Sequence, residues 1–508
     1  MGTRTVLHGL AAAVMAAACG GDGATPAGPS ATLVIVSGGA QNDTIGARLP
    51  QPLRVRAMDA SGRALAGAPV RFTVEEGDVT LSSGTATTDA LGEAETSATL
   101  GETAGFALVV AMLQDGGSRI EFQLGILPGA PIRLEPVEQP PPAWFAENRL
   151  LDVVAARATD RTGNAVGSDV APARWTVVRG GGEALNYPLI EGLHQARWTL
   201  GPELGEQTIR LTVRDLSIDF SVGAVEGGRI AFASDREAGN NQWDIFTMKP
   251  DGTDLIRLTA SDHRDKDTEW SPDRRQVLFA RVFEGELEGG LWTVPADGGA
   301  DALAMPGNAG GGAWSPDGTR VAYFTKGGAP NCPIAMHEIW LRTLDGSGSQ
   351  KLIEDPCGGG GTWPEWAPDG SQIVYESREG SGDRNLWRLW TARPDGSDRR
   401  RITEDPAHQA QWSPDGSTII FGAFVPANAA IRRVSPAGGA SHVVWDPDDD
   451  GLLHVLPGGF SPDGSFLVAE VGWDLPGAKA DIFLVHLETG RAWDITHRKE
   501  GFDGFPVW

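Results

Sequence analysis

Aspartates at alternate positions in Asp446-Pro447-Asp448-Asp449-Asp450-Gly451 reproduce the first half of a calcium-binding loop, where carboxylates at positions 1, 3 and 5 surround a hard cation. The glutamate that completes such loops at position 12 is absent, and Pro457 stands in its place. Asp446, Asp448 and Asp450 therefore read first as a solvated acidic turn and, in the alternative, as a weak calcium site; no other cofactor is indicated. Cys332 and Cys357 are the cysteines of the C-terminal half. In an oxidising compartment they form an even pair, and a disulfide closing a loop of this size adds about 3 kcal/mol. No Cys/His arrangement suited to nucleophilic catalysis accompanies them. His263, His408 and His497 lie in polar stretches read as loops, as do Asp262, Asp265 and Asp267, and all are expected to be solvated. No H-x-H or H-E-x-x-H spacing occurs, and HEIWL at 337–341 lacks the second histidine. With no G-x-S-x-G either, these residues lead to the expectation that the protein is not an enzyme.

The elements that carry them are legible as repetition. AWSPDGTRVAYF at 313–324 returns as EWAPDGSQIVYES, QWSPDGSTIIFGA and GFSPDGSFLVAEV, and is preceded by EWSPDRRQVLFAR. The aromatic before each turn falls at Trp270, Trp314, Trp366, Trp412 and Phe460, at intervals of 44, 52, 46 and 48 residues, and a further 48 reaches Trp508. A period of this length with four strand-like runs per unit predicts a β-propeller. Proline presets φ in each turn, aspartate accepts a local backbone bond, and glycine takes the left-handed position. The aromatic is a wedge between neighbouring blades, so the phrase is structural. The propeller opens on GRIAFASD, a second strand without a first, and ends on FPVW, a first strand without a second. Joining them completes a sixth blade and removes a free sheet edge.

Composition agrees. With 508 residues the chain exceeds one hydrophobic core, and 68 Gly and 34 Pro beside 7 Met favour turns and short strands over long helices. A formal charge of 42 − 67 = −25 argues against a nucleic-acid partner. Before the propeller, AMDASGRAL (57–65) returns as ATDRTGNAV (158–166) and RFTVEEG (71–77) as RWTVVRG (174–180). Alternating runs such as LRVRA and IRLTV predict half-buried strands in two tandem β-sandwiches. The run PVEQPPPAWF (136–145) reads as an edge or linker stretch, because proline cannot donate to a sheet ladder. At the N-terminus Arg4 precedes a short apolar run ending in AAAC, a secretory signal. AAAC resembles a bacterial lipobox, which implies lipidation of Cys19. Ala16 stands where such motifs carry leucine, so an ordinary secretory signal is the alternative.

The segment LRVRAMDASGRALAGAPVRFTVEEG with TATTDALGEAETSATLGETAGFALVVA resembles bacterial Ig-like domains of the invasin and intimin type. IAFASDREAGNNQWDIFTMKPDGTDLIRLT, with the recurring WSPDGTRVAYF, resembles the TolB-like propeller family. That resemblance implies six blades; the partner contacts of the family's periplasmic member are not carried over, since its own N-terminal domain is unmatched. Arg274 departs from the pattern, replacing the turn glycine.

The fold class expected is therefore all-β, two Ig-like β-sandwiches followed by a six-bladed β-propeller. The divisions are a signal peptide (1–19), a tether (20–30), sandwiches over 31–127 and 128–225, and a TolB-like propeller over 226–508. The long loops after the second and fourth strand of each blade share one face, the natural binding face. The expected role is a lipid-anchored scaffold of the bacterial cell envelope, periplasmic or surface-exposed with the outer membrane favoured, binding an envelope protein or glycan. The alternative is a propeller-based metal-dependent polysaccharide lyase or hydrolase.

Overall fold

The computed structural model describes residues 31–114, 118–167, 171–187, 192–237, 242–283, 289–327, 336–353, 360–378, 387–422, 429–447, 452–473, 479–497 and 501–508. Among them every regular element is a β-strand. The chain forms two compact units: one contains the first sandwich together with Thr159–Val166, the other contains Leu134–Ala158 and Gly167–Trp508.

In the first sandwich the period-2 pattern sets the layers. Along Leu53–Met58, Leu53, Val55 and Ala57 are fully buried while Arg54 and Arg56 face outward. Those two arginines pair with Glu95 and Glu93 on the neighbouring strand Glu93–Thr96. The facing five-stranded sheet runs Ala40–Thr44, Arg119–Leu127, Gly105–Leu113, Pro69–Glu76, Thr85–Thr87 and supplies Val70, Phe72, Val109 and Phe122 to the core. Ala40–Thr44 joins it in parallel, against Gln123–Leu127.

The second sandwich repeats this plan. Ala143–Phe145 joins Leu216–Val225 in parallel, at the place equivalent to Ala40–Thr44. Of the two expectations for 136–145, edge or linker, the structure shows the edge: Arg133–Glu138 and Ala143–Phe145 are edge strands of the two sheets, and Trp144 and Phe145 are fully buried. A parallel strand joining at an edge tolerates a proline run immediately before it, because no ladder donor is needed there.

The propeller consists of six four-stranded antiparallel sheets. Its innermost strands, in blade order, are Asp503–Val507, Arg264–Trp270, Ala309–Trp314, Gly361–Trp366, His408–Trp412 and Leu452–Phe460. Blade 1 is closed by both ends of the domain: Ala231 faces Val507, Ala233 faces Gly504 and Ser234 faces Asp503.

The turns after Trp270, Trp314, Trp412 and Phe460 are each locked by a serine and an aspartate. In blade 3, Ser315 Oγ donates to Asp317 Oδ1 at 2.5 Å, Thr319 N donates to the same oxygen, and Arg320 N donates back to Ser315 Oγ. The same three bonds recur from Ser271, Ser413 and Ser461. Blade 4, with Ala367, keeps the backbone bond to its aspartate, from Ser371 N to Asp369. Arg274 adopts φ 60°, the conformation glycine takes elsewhere, and its guanidinium lies 5.2 Å over the Trp270 ring. That cation–π contact is worth about 0.5–1 kcal/mol, against roughly 1–2 kcal/mol for the left-handed backbone.

Candidate functional site

The innermost strands surround a central channel, and their shape is set three residues before each anchor. There a β-bulge interrupts the ladder, with Asp267 (φ 55°), Gly311 (φ 46°), Trp363 (φ 43°), Gln409 (φ 48°) and Phe505 (φ 50°) in the left-handed region. In blade 6 the interruption falls between Pro457 and Gly459. Four of the five left-handed residues are not glycine, a strain of roughly 1–2 kcal/mol each that other contacts must offset.

Two of the offsets come from buried carboxylates on the preceding blade. Glu376 accepts Gln409 N at 2.6 Å and faces His408 Nδ1 at 3.1 Å. Glu470 accepts Phe505 N at 2.8 Å and faces His454 Nε2 at 2.8 Å. Both glutamates come ten residues after their anchors, so one position in the repeat fastens each blade to the next bulge. In blade 3 that position is Phe324, whose ring packs 5.5 Å from Trp363 instead.

Toward the turn face the channel holds about 70 Å³ accessible to the centres of water molecules, lined by Asp267, Glu269, Glu365, Gln409 and Gln411 among others. Glu269 and Glu365 occupy the same repeat position, directly before Trp270 and Trp366. Burial pushes the Glu269 carboxyl up to about 8, against a partial counter-effect of Arg274. Burial, and then the Glu269 charge, hold the Glu365 carboxyl well above the usual carboxylate range. The pair disfavours a second negative charge near neutral pH and suits a cationic guest.

At the long-loop mouth the lining changes to aromatic and cationic groups. Trp243 stacks on Phe502 at 4.6 Å, with the Arg264 guanidinium 5.5 Å over the Trp243 ring. Further round, Arg378 lies 4.2 Å over Trp387, which neighbours His337 and His408. Behind this arc, buried ion pairs fix the strand ends: Asp265 with Arg281 at 2.7 Å, Asp503 with Arg236 at 2.8 Å, and Asp244 with Arg257 at 2.6 Å.

These contacts correct several expectations from sequence. Asp265 and Asp267 belong to an innermost strand and are buried, Asp265 completely, and His408 is half-buried against Glu376. The polar run SDHRDKDTEW was read as a loop because solvated loops and channel-lining strands have the same composition. The bulges and the paired glutamates were also missed, although both recur at fixed offsets from the anchor.

The anchors themselves sit where blades meet. Trp270 lies in a cluster with residues of blades 1 and 2, and Trp366 with blades 3 and 4. Trp314, Trp412 and Phe460 pack against the clusters of the intervening junctions. Trp508 is buried and also touches the second sandwich, 5.0 Å from Phe145. Cys19, Cys332, Cys357, Asp448 and Asp450 lie outside the described residues, and Asp446 is exposed. Among the described residues, no group of three or more His, Cys, Asp or Glu side chains could hold a metal ion.

Fold and channel together define an all-β chain in which Ig-like sandwiches precede a six-bladed propeller. The particular kinds follow from the comparisons: the chain carries a bacterial Ig-like domain (group 1), matched over residues 50–121, and a TolB-like β-propeller. It is 31% identical over 120 residues to the Tol-Pal system protein TolB of Anaeromyxobacter dehalogenans strain 2CP-C, covering 23% of this chain and 26% of that one. It is 30% identical over 130 residues to dipeptidyl-peptidase 5 of Porphyromonas gingivalis, covering 24% and 19%. The chain thus spans about a quarter or less of the length of these relatives. A solved structure of TolB from Acinetobacter baumannii covers 67% of this chain and 84% of its own, at 16% identity and a TM-score of 0.46.

Proposed function

We propose that this chain is a non-enzymatic binding protein of the bacterial cell envelope, whose propeller receives a segment of a partner protein at the long-loop mouth of its channel. The observation that carries this reading is how the second sandwich is fixed to the opposite, turn-bearing face. Phe145 packs on Phe466 at 4.6 Å, Trp144 on Trp493 at 5.0 Å, and Asp152 pairs with Arg491 and accepts from Trp493 Nε1 at 2.8 Å. A sandwich so placed leaves the aromatic and cationic mouth to a partner, and the carboxyl pair further in favours a basic group on the inserted segment. The likeness to a protein of the Tol-Pal system supports an envelope protein as partner. Lipid on Cys19 would tether the chain, and Gly20 and Gly21 after it, with no retention acid, favour the outer membrane.

A glycan is the second reading, favoured by the Trp243–Arg264 and Trp387–Arg378 pairs at the same mouth, since guanidinium groups donate to the hydroxyls and carboxylates of sugars. The likeness to a peptidase supports testing for turnover as well. The decisive experiment compares binding of purified envelope proteins and of envelope glycans to the intact chain and to Trp243→Ala and Trp387→Ala variants. Loss of binding in these variants, with neither peptide nor glycan cleaved, is the expected result. Metal-dependent release of unsaturated sugar products, or peptide cleavage, would replace this reading with the enzymatic one.

A further inference from the structure

The two sandwiches differ at one sheet edge. APVRFTVEEG (68–77) and APARWTVVRG (171–180) are equivalent segments of their repeat. In the first sandwich the free side of Pro69–Glu76 is occupied. Thr85–Thr87 pairs with it antiparallel, Phe72 N donates to Gly84 O at 2.8 Å, and Ala86 packs on the core. In the second, Ala173–Arg179 ends its sheet, and Gly205–Val213 is its one ladder partner among the described residues.

A change of strand path causes the difference. Val79–Leu81 leaves its partner Ala98–Leu100 after 3 residues, and the chain crosses to the other sheet as Thr85–Thr87. Its counterpart Gly182–Tyr187 stays on Leu193–Leu200 for all 6 of its residues, and only 188–192 separate the two. The edge of Ala173–Arg179 is left open. Backbone alternation turns the N–H and C=O of Trp175 and Val177 outward, as it does those of Phe72. Val74 packs on the first core, whereas its counterpart Val177 is 37% exposed and Val178 50%. The usual protections are missing here. At the opposite edge of the same sheet, Trp144 and Phe145 pack against the propeller, and the edge strand Arg133–Glu138 of the facing sheet carries Pro136. Ala173–Val177 keeps a regular ladder, and its bulge comes only between Val177 and Arg179.

The strand's own residues say what fits there. An antiparallel copy must set outward-turned residues against outward-turned residues, so each allowed register is centred on a single residue. Centred on Arg174, two guanidinium groups oppose each other. Centred on Trp175, two indoles meet that are each already packed in a core, 5.5 Å from Phe220. Centred on Val177, the pairing runs into the bulge of both strands. Centred on Thr176, Trp175 opposes Val177 of the copy on the core side. Thr176 then meets Thr176 on the outer side, flanked by Arg174 opposite Val178. Aromatic with β-branched and Thr with Thr are stabilising cross-strand pairs, and no like charges face each other.

We propose that Ala173–Arg179 is a self-association edge, pairing antiparallel with the same strand of a second copy of this chain in register about Thr176. The two sheets become one continuous sheet, and the second copy takes the place that Thr85–Thr87 fills within the first sandwich. Val177, left half-covered at the open side, is then shielded by Trp175 of the copy. A pairing this short lies at the small end of protein interfaces, so the dimer is weak. The edge is separate from the propeller channel, so the dimer stands whether or not the channel binds a protein.

The test is sedimentation velocity of the full chain from roughly 5 to 500 µM, combined with disulfide trapping of the register. A concentration-dependent shift from monomer to dimer is expected. Val177→Lys places a charge on the core side of the edge and is expected to weaken the dimer about tenfold or more with the melting temperature unchanged. Thr176→Cys sets two thiols on a non-hydrogen-bonded pair, where Cα atoms lie about 4.5 Å apart, within the range a disulfide spans. Mild oxidation is expected to link this variant into a covalent dimer, above the background set by the chain's own cysteines. Arg174→Cys, which faces Val178 of the copy, is expected to stay unlinked. A monomer throughout the concentration range would overturn the proposal and leave the edge to a strand of a different protein. So would a dimer that Val177→Lys leaves intact or that Thr176→Cys fails to trap, since its interface would lie elsewhere.

Discussion

At the residue scale, two kinds of carboxyl titrate in opposite senses. Asp317, typical of the turn aspartates, is lowered to about 2, chiefly by the Ser315 hydroxyl and then by Thr319. A depressed carboxyl stabilises the fold above its ordinary value of 3.8, and that contribution is lost as pH falls toward 2. Asp317→Asn is therefore expected to lower the melting temperature at pH 5 to 7 and to converge with wild type in strong acid, measured by calorimetry across pH. Glu269 has the other sign. Raised from 4.5 to about 8, it makes a contribution to stability that is fully present below 4.5 and is lost as pH rises from there through about 8. Glu269→Gln should leave melting near pH 4.5 unchanged and raise it at pH 8 to 9. An unchanged alkaline melting temperature would mean that the carboxyl is well solvated in the channel. The turn aspartates were legible in sequence because every partner lies within a few residues of them. The raised glutamates were not, since Glu269 and Glu365 are 96 residues apart and meet only when the ring closes.

At the element scale, the innermost strand is the unit that carries the site, and its bulge is the feature that aims side chains at the channel. Gly311 shows how tightly this is built. Its φ is 46°, and a Cβ there would meet Phe324 Cε1 at 2.7 Å and Trp363 Cδ1 at 3.0 Å. Gly311→Val combines left-handed strain with overpacking and is expected to cost about 2–4 kcal/mol, read as a shift in the urea midpoint. Strands were recognisable from alternation wherever one face meets water, as in LRVRAM. Innermost strands were harder: HQAQW and RDKDTEW place polar groups in a lined channel, where the contrast between faces that reveals a strand is lost.

At the scale of the whole molecule, closure is the central physical event. Asp503–Val507 completes blade 1, and Trp508 adds a buried ring and a hydrogen bond to Gly227. A chain ending at 502 would leave Ile230–Ser234, apolar through Ala233, as an exposed edge next to an emptied channel wall. Its melting temperature is expected to drop by several degrees with onset of aggregation, followed by calorimetry and light scattering; identical melting would exclude the closure. The sequence by itself determined the number of blades, the turn chemistry and the joining of the two ends, because a repeat writes the same local contacts again in each copy. Tertiary structure alone decided which polar residues enter the channel, how Glu376 and Glu470 tie one blade to the next, and that Trp144 and Phe145 seat the second sandwich on the turn face. Those contacts join positions separated by tens to hundreds of residues, and neither composition nor period records which distant groups a closed ring brings within hydrogen-bonding reach.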